Sequence, residues 1–541
     1  MRPSTYVRHA PAHPRRYRRR ALTVLGVAVA AAVWQPAAAR ADLAGTMPAE
    51  EQAALSTLLL GPSTPGLQSL PVDGAGALVQ AIDSVGADLG VAVDAAGAVT
   101  AAQLPNGVSA RLAVALQDMH TCDVVTAAAL QQLTPGVATP LGDSMPSIPD
   151  TSAVALRQCG ATMYSDGLAL KNYVKVLTAG GAAPGPGNVL DVWPVVHLDY
   201  TGAGHEYDWD YALTVATGTN TFYNNAGSNV LDPFNSPLNG QPSRGCELVS
   251  EILGAAVPKC ILASGMLIQV GGNNNVFGRM QSPDADAFMP GTSPPVPCTT
   301  GNLVRRVFTE GSSVAGVGIL INDSQGRNTY LGKVGAQGAG HIGGVGILDI
   351  DGGNNLLDAI RNSQGFGFVG GLGILHVKNA KDTFTNYMPL ANAAGDASTT
   401  GTGIIDDAGN CEGRPRHLQG SGELGGTGIL YANQSNGVYQ SDSDLGQGTG
   451  DVFPPGTPQP NLGGPGSGML VSYDSDRARY SGVPGRAEGV VLIGVRATTD
   501  PSVTATDIFD DDVFPLIGTD PCSHGCASDA QYLAPLLLNM T

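Results

Sequence analysis

The segment HEYDWDY, His205 to Tyr211, holds the residue types that acid/base chemistry needs. Alternate side chains of a β-strand share a face, so Asp208 and Asp210 would stand together with His205 nearby. Two carboxylates and an imidazole can protonate a glycosidic oxygen and activate the attacking group. The competing reading is a set of solvated acids opening a repetitive region, which leaves no catalytic residue to assign. Acids also gather in DIFDDDVF, where Asp507, Asp510, Asp511 and Asp512 form an oxygen-rich array. Such an array suits a structural calcium ion, the one cofactor the sequence offers; the alternative is an acidic surface turn. In CSHGC, His524 lies between Cys522 and Cys526. Zinc would want a fourth ligand and a second paired-thiol loop, which the chain lacks, so a disulfide is the expectation there. No G-x-S-x-G occurs, and no Ser-His-Asp set can be assembled from sequence order, so nucleophilic hydrolysis has no support.

The elements that would position these groups are legible in a repeat. QGAGHIGGVGIL from Gln337 contains G-x-G-x-x-G at Gly338, Gly340 and Gly343. That motif marks a dinucleotide site only once per fold, between a strand and a helix. Here it recurs as QGFGFVGGLGIL from Gln364, QGSGELGGTGIL from Gln419 and a truncated QGTG from Gln447, at intervals of 27, 55 and 28 residues. A fixed period is the signature of an array of stacked units. The second half of each unit repeats as well: GILINDSQGRNTY, GILDIDGGNNLL, GILHVKNAKDTF and GILYANQSNGVY, with degenerate copies LTVATGTNTFY, GMLIQVGGNNNVF and GMLVSYDSDRARY. A turn position is filled by Asn220, Asn275, Asn328, Asn355 and Asp382, and the residue two further on is Phe222, Phe277, Tyr330, Leu357 or Phe384. With strands stacked about 4.8 Å apart, amides would bond in a ladder and aromatic rings would pile up. His341 has no repeated partner, its matching positions holding Phe368 and Glu423, and reads as a surface turn residue.

Composition sets the remaining bounds. Residues 1–41 read as an export signal: a basic stretch from Arg15 to Arg20, an uncharged apolar run, then small residues at Ala39 and Ala41. That run falls short of the roughly twenty residues that a bilayer core requires. Removing the signal takes away eight arginines and no acid, so the formal charge moves from -18 to -26. Such a charge disfavours nucleic acid and anionic membrane surfaces as partners, and no apolar run downstream offers a transmembrane anchor. Extracellular glycans or surface proteins fit better, in a secreted or cell-surface setting. The cysteines form an even-numbered set in an exported chain, for which Cys122 with Cys159, Cys246 with Cys260, and Cys522 with Cys526 are the local pairings expected. Residues 42–180 form an Ala-rich helical domain, with Leu112, Leu116 and Met119 on one stripe, and a Gly/Pro linker follows. Residues 190–500 hold the repeats of about 27 residues, and 501–541 a cysteine-containing C-terminal segment.

On its Q-G-x-G-x-x-G-G-x-G-x-L repeats the chain resembles secreted bacterial right-handed parallel β-helix proteins. The resemblance covers a little under three fifths of the chain and implies a mainly β fold, the solenoid preceded by the small helical domain, together with export. It carries no assigned activity. DGGNN, Asp351 to Asn355, faintly resembles the calcium nonapeptide of toxin-type β-rolls, but the tandem pattern is missing. Parallel β-helices often host polysaccharide lyases and hydrolases, yet no polygalacturonase Asp-Asp and Gly-His-Gly set is present, and RPR at Arg414 to Arg416 only echoes a pectate-lyase pattern. Two readings follow. One is a non-enzymatic structural or binding scaffold; the other is a polysaccharide-active lyase or hydrolase using His205, Asp208 and Asp210.

Overall fold

The computed structural model describes residues 49–60, 62, 70–138, 144–179, 187–207, 211–223, 225–231, 260–261, 264–280, 299–300, 303–305, 308–332, 335–359, 363–380 and 382–385. Beyond these it describes the strand segments 422–423, 427–433, 438–440, 467–472, 479–481, 489–493 and 508–509. The protein is mainly β, with a large parallel-strand sheet and a few helices. Among the described residues no helix is long and apolar enough to cross a membrane.

The helices are α1 (Ala49–Leu60), α2 (Gly74–Asp88), α3 (Ala95–Ala102), α4 (Asn106–Gln131) and α5 (Asp150–Ala179). Helices α2 and α3 start where Asp73 and Asp94 each accept a backbone N–H three residues on, at 2.9 Å in both cases, satisfying a donor that the first turn leaves unpaired. In α4 the stripe of Leu112, Leu116 and Met119 is buried.

The largest sheet holds ten strands: β1 (Val189–Val192), β2 (Val196–Asp199), β3 (Leu213–Ala216), β4 (Ser264–Val270), β5 (Val317–Asp323), β6 (Val345–Asp351), β7 (Leu372–Lys378), β8 (Thr427–Asn433), β9 (Ser467–Ser472) and β10 (Gly489–Ile493). They lie side by side in chain order and pair in parallel, apart from the antiparallel β1–β2 hairpin. Two further parallel sheets accompany it, one of nine short strands from Glu206–Tyr207 to Ile508–Phe509 and one of four from Ser313–Val314 to Gly422–Glu423. Each is an open row. In the four repeats between Ser313 and Gln440 the chain visits the four-stranded, the ten-stranded and then the nine-stranded sheet, and strands pair with their counterparts in the next repeat. The G-x-G-x-x-G stretch is therefore a short strand (Gly340–His341), a turn closed by Gly344 N–H to His341 O at 3.0 Å, and the start of β6; no helix follows it.

The long apolar strands are buried on both faces, which is why they read as continuous Gly-Ile-Leu runs and not as alternation. Leu267, Leu320, Leu348, Leu375 and Leu430 point to one core together with the aromatic row. Ile319, Ile347, Ile374 and Ile429 point to the other, which the helices share. The sequence places the helical segment at one end of the repeats. Instead, α5 lies across the face of the sheet: Gly167 sits so close to β4 and β5 that an added Cβ would stand 2.8 Å from Ile321 Cδ1 and 3.1 Å from Met266 Sδ. The physical reason is the isoleucine face, an apolar area that would meet water if one long helix with small residues did not cover it.

The amide ladder is present and continuous. Asn328 Nδ2 donates to Asn355 Oδ1 at 2.9 Å, and Asn355 Nδ2 donates to Asp382 Oδ1 at 2.8 Å. The backbone N–H groups of Asn275, Asn328 and Asn355 donate to the next side chain along, at 3.2, 3.1 and 2.9 Å. Tyr207, Tyr223, Phe277 and Tyr330 stack with centroids 4.7 to 5.0 Å apart. This register corrects one position of the sequence alignment. Phe277 pairs with Tyr223, not Phe222, and Asn275 Oδ1 accepts from Thr221 N–H while Asn220 takes a left-handed backbone at φ 58°. A one-residue slip changes the face, so Tyr223 is buried and Phe222 only half-buried. Replacing Asn355 by Ala removes the acceptor of the Asn328 backbone N–H and one of the two acceptors of its side-chain amide, and takes a donor from Asp382, with an expected loss of about 2–4 kcal/mol in urea unfolding.

Cys122 and Cys159, expected as a disulfide, are free thiols in this structure, both buried and facing each other from α4 and α5. A hydrogen bond to Cys159 raises the Cys122 thiol well above its ordinary value, with burial and the charges of Asp123 and Asp118 adding to it. Cys260 falls in the strand Cys260–Ile261, whereas Cys246, Cys522 and Cys526 lie outside the described residues.

Candidate functional site

The β1–β2 hairpin and the segment after it bring six polar side chains together. Antiparallel register sets Asp191 opposite His197. Asp191 Oδ1 accepts the Tyr211 hydroxyl at 2.8 Å and lies 3.6 Å from His197 Nδ1. The neighbouring His197 imidazole holds the Asp191 carboxyl below its ordinary value; burial opposes this and the Tyr211 hydroxyl reinforces it. Two residues along β2, Asp199 Oδ2 lies 2.6 Å from His205 Nε2. The Asp199 side chain is 5 % exposed and that of His205 is 44 % exposed. Tyr207 lies between the two histidines, its ring 4.9 Å from His197 and 5.9 Å from His205. Burial, then the nearby charge of Asp199, raises the Tyr207 hydroxyl far above the ordinary tyrosine range; burial and Asp191 do the same for Tyr211.

A partly exposed imidazole beside a buried carboxylate can accept and return a proton. Of the three residues singled out in HEYDWDY, His205 therefore has a carboxylate partner, though not one from its own segment. Asp208 and Asp210 lie outside the described residues, as do the calcium candidates Asp507, Asp510, Asp511 and Asp512. Among the described residues no three His, Cys, Asp or Glu side chains cluster as a metal centre would require. Asp191, His197 and Asp199 were within reach of the sequence, since VLDVWPVVHLDY reads as two apolar runs around a Trp-Pro turn that sets Asp and His opposite each other.

His341 is not at the surface. It is fully buried, edge-on to Phe308 at 5.2 Å and near Phe366 and Phe368 at 5.7 and 5.9 Å, because the short four-stranded sheet is covered by apolar corners of adjacent repeats.

A second polar region lies under α5. The Tyr164 hydroxyl donates to Asp349 Oδ2 at 2.8 Å, and His376 and Lys378 each stand 3.5 Å from Asp349 Oδ1. Burial pushes the Asp349 carboxyl up, but Lys378, His376, Tyr164 and Lys171 outweigh it and hold it below the usual range. The His376 imidazole is brought down to about 4, chiefly by burial. Between α4 and α5, burial and the neighbouring Asp118 carboxyl push Asp166 up to about 9. Burial likewise raises Asp123, which faces Ser264 on β4 and Asp88 on α2.

Compared with family models, curated proteins and solved structures, the chain has no match.

Proposed function

We propose that this chain is an exported scaffold, extracellular or on the cell surface, whose repeats wind as a right-handed parallel β-helix and which binds glycans or surface proteins without chemically altering them. The observation that carries this reading is the row Asn328, Asn355 and Asp382, whose side chains bond one another inside the protein and are spent on holding the repeats together. The same holds for Tyr207, which ends the aromatic stack although it lies in the most reactive-looking segment of the sequence. Export would expose Cys122 and Cys159 to an oxidising compartment, where the facing thiols can join.

A second reading, a polysaccharide-active lyase or hydrolase, is favoured by one observation, the half-exposed His205 against the buried Asp199. Incubation of the full chain with a panel of acidic and neutral polysaccharides separates the two. Retention of a polysaccharide with no new reducing ends or unsaturated products supports the scaffold. New products that vanish in His205→Gln, with thermal unfolding unchanged, would overturn it in favour of the enzyme. The variant should unfold within about 1 kcal/mol of the parent, since a partly exposed ion pair contributes little.

A further inference from the structure

We propose that the turns leaving β3 to β7 form a rigid amide strip that binds an extended, uncharged polysaccharide, an inference that rests on the scaffold reading above and gives it a ligand and a surface. These turns lie side by side, locked by backbone bonds from one to the next: Asn220 N–H to Asn273 O at 2.9 Å, Asn274 N–H to Arg327 O at 2.7 Å, Asn354 N–H to Gly326 O at 3.1 Å and Gly352 N–H to Lys378 O at 2.8 Å. Their exposed side chains are Asn220, Asn273, Asn274, Gln325, Arg327 and Asn354, with Asn379 closing the row. All but Arg327 are primary amides. In a chain of formal charge -18, none is a carboxylate.

Turn geometry explains only part of this residue choice. Asn220, Asn274 and Asn379 take a left-handed backbone, at φ 58°, 54° and 54°, which asparagine tolerates better than most residues. Asn273, Gln325 and Asn354 have no such backbone to satisfy. Asn274 Nδ2 is engaged by Asn220 Oδ1 at 3.3 Å, Gln325 Nε2 by Asp351 O at 3.3 Å and Asn379 Nδ2 by Asp351 Oδ1 at 2.8 Å. The side chains of Asn273, Arg327 and Asn354, one on each of three adjacent turns, bond no group of the described residues. Each turn then continues into Asn275, Asn328 or Asn355 of the buried ladder, which fixes the strip from beneath.

The chemistry of these groups selects the ligand. An amide offers an acceptor and two donors, and so matches a sugar hydroxyl, which both gives and takes a bond; a ligand of carboxylates or phosphates would only accept and would leave the amide oxygens unpaired. The acidic chain also repels polyanions at long range. Adjacent turns repeat at about 4.8 Å, the scale of one extended sugar unit, so the row of turns spans roughly 19 Å. Groups already fixed in place lose little freedom on binding.

The test is retention of the full chain by insoluble cellulose, chitin and xylan, with a polygalacturonate gel as the acidic arm. The triple variant Asn273→Ala, Arg327→Ala, Asn354→Ala removes the free groups of the strip, and Gln117→Ala removes an exposed amide on α4. The expected result is retention by at least one neutral polymer, weakened about tenfold or more in the triple variant and unchanged in Gln117→Ala, with thermal unfolding the same in all. Should the triple variant misfold, Asn273→Ala and Asn354→Ala alone read the same loss in smaller steps. Undiminished retention in every folded strip variant would overturn the inference and leave the scaffold reading standing, with its glycan held elsewhere. Retention by polygalacturonate alone would overturn it as well. Binding to none of these polymers would overturn it together with the glycan half of that reading, which would then rest on surface proteins.

Discussion

Gly346→Ala is expected to prevent folding, a loss of more than about 4 kcal/mol, although it adds one methyl group to a residue in ordinary extended backbone. Gly346 is the second residue of β6 and belongs to a row in which Gly265, Gly318, Gly346, Gly373, Gly428, Gly468 and Gly489 stand opposite one another. An added Cβ at Gly346 would lie 2.1 Å from Ala339 O, 2.4 Å from Ala339 C and 3.0 Å from Ala339 N. All three are backbone atoms of the corner that leads into the same strand, so no side-chain rotation can relieve the overlap. The corner cannot retreat either, because Ala339 O accepts the Ser313 N–H at 2.8 Å from the preceding repeat. Gly370→Ala is the control. Its φ is 71° and nothing stands within 4 Å of an added Cβ, so only the left-handed backbone resists and about 1–2 kcal/mol is expected. Soluble yield and the urea midpoint of the two variants check the contrast; equal losses would mean that the glycine row serves the backbone angle and not the close approach.

The same row shows how much was legible. The 27 residues between Gln337 and Gln364 are the register itself, since Val345 to Asp351 pairs with Leu372 to Lys378 without a shift. A period is readable because identical neighbours must meet identical surroundings. The two glutamines have a use that the repeat did not disclose: each takes a left-handed backbone, and Gln337 Nε2 bonds Tyr330 O and Asp358 O at 3.3 and 3.2 Å, pinning the corner to the aromatic strands. The alignment slips where the repeat is shorter by one residue, at LTVATGTNTFY, because adjacent Phe222 and Tyr223 both satisfy an aromatic position and only the register separates them. Burial of His341 was hidden for a related reason. Its neighbours Phe308, Phe366 and Phe368 come from other repeats; the repeat aligns only Phe368, its partner on the next strand of the same sheet, and nothing local brings in Phe308 or Phe366. The candidate site was half readable: His205 stands out by type, but Asp199 reaches it from a strand whose partner had to be known first.

Removal of the Asp323 carboxylate should be the largest effect of any charge change, and the reason lies in what it leaves behind. Asp323 ends β5 under α5, where its side chain is 2 % exposed; Lys171 stands 3.5 Å away and is itself 7 % exposed. Lys175, 54 % exposed, reaches the same carboxylate at 2.7 and 3.0 Å. A buried pair contributes little over apolar residues of the same volume, because desolvation offsets attraction, but a buried ammonium deprived of its partner costs about 3–5 kcal/mol. Asp323→Ala is therefore expected to lose at least about 3 kcal/mol, moderated by Asp349, which also acts on Lys171 through the buried network beneath Tyr164. Lys175→Ala, by contrast, removes the shorter contact and should lose less than about 1 kcal/mol, since its partially exposed ammonium is screened and returns to water. The double variant Asp323→Ala, Lys171→Met should recover most of the loss, because it removes the stranded charge and fills the space with apolar atoms. Urea unfolding of the single and double variants measures this. Equal costs for the two single changes would show that contact length, and not the burial of the cation left alone, governs how α5 is held to the sheet.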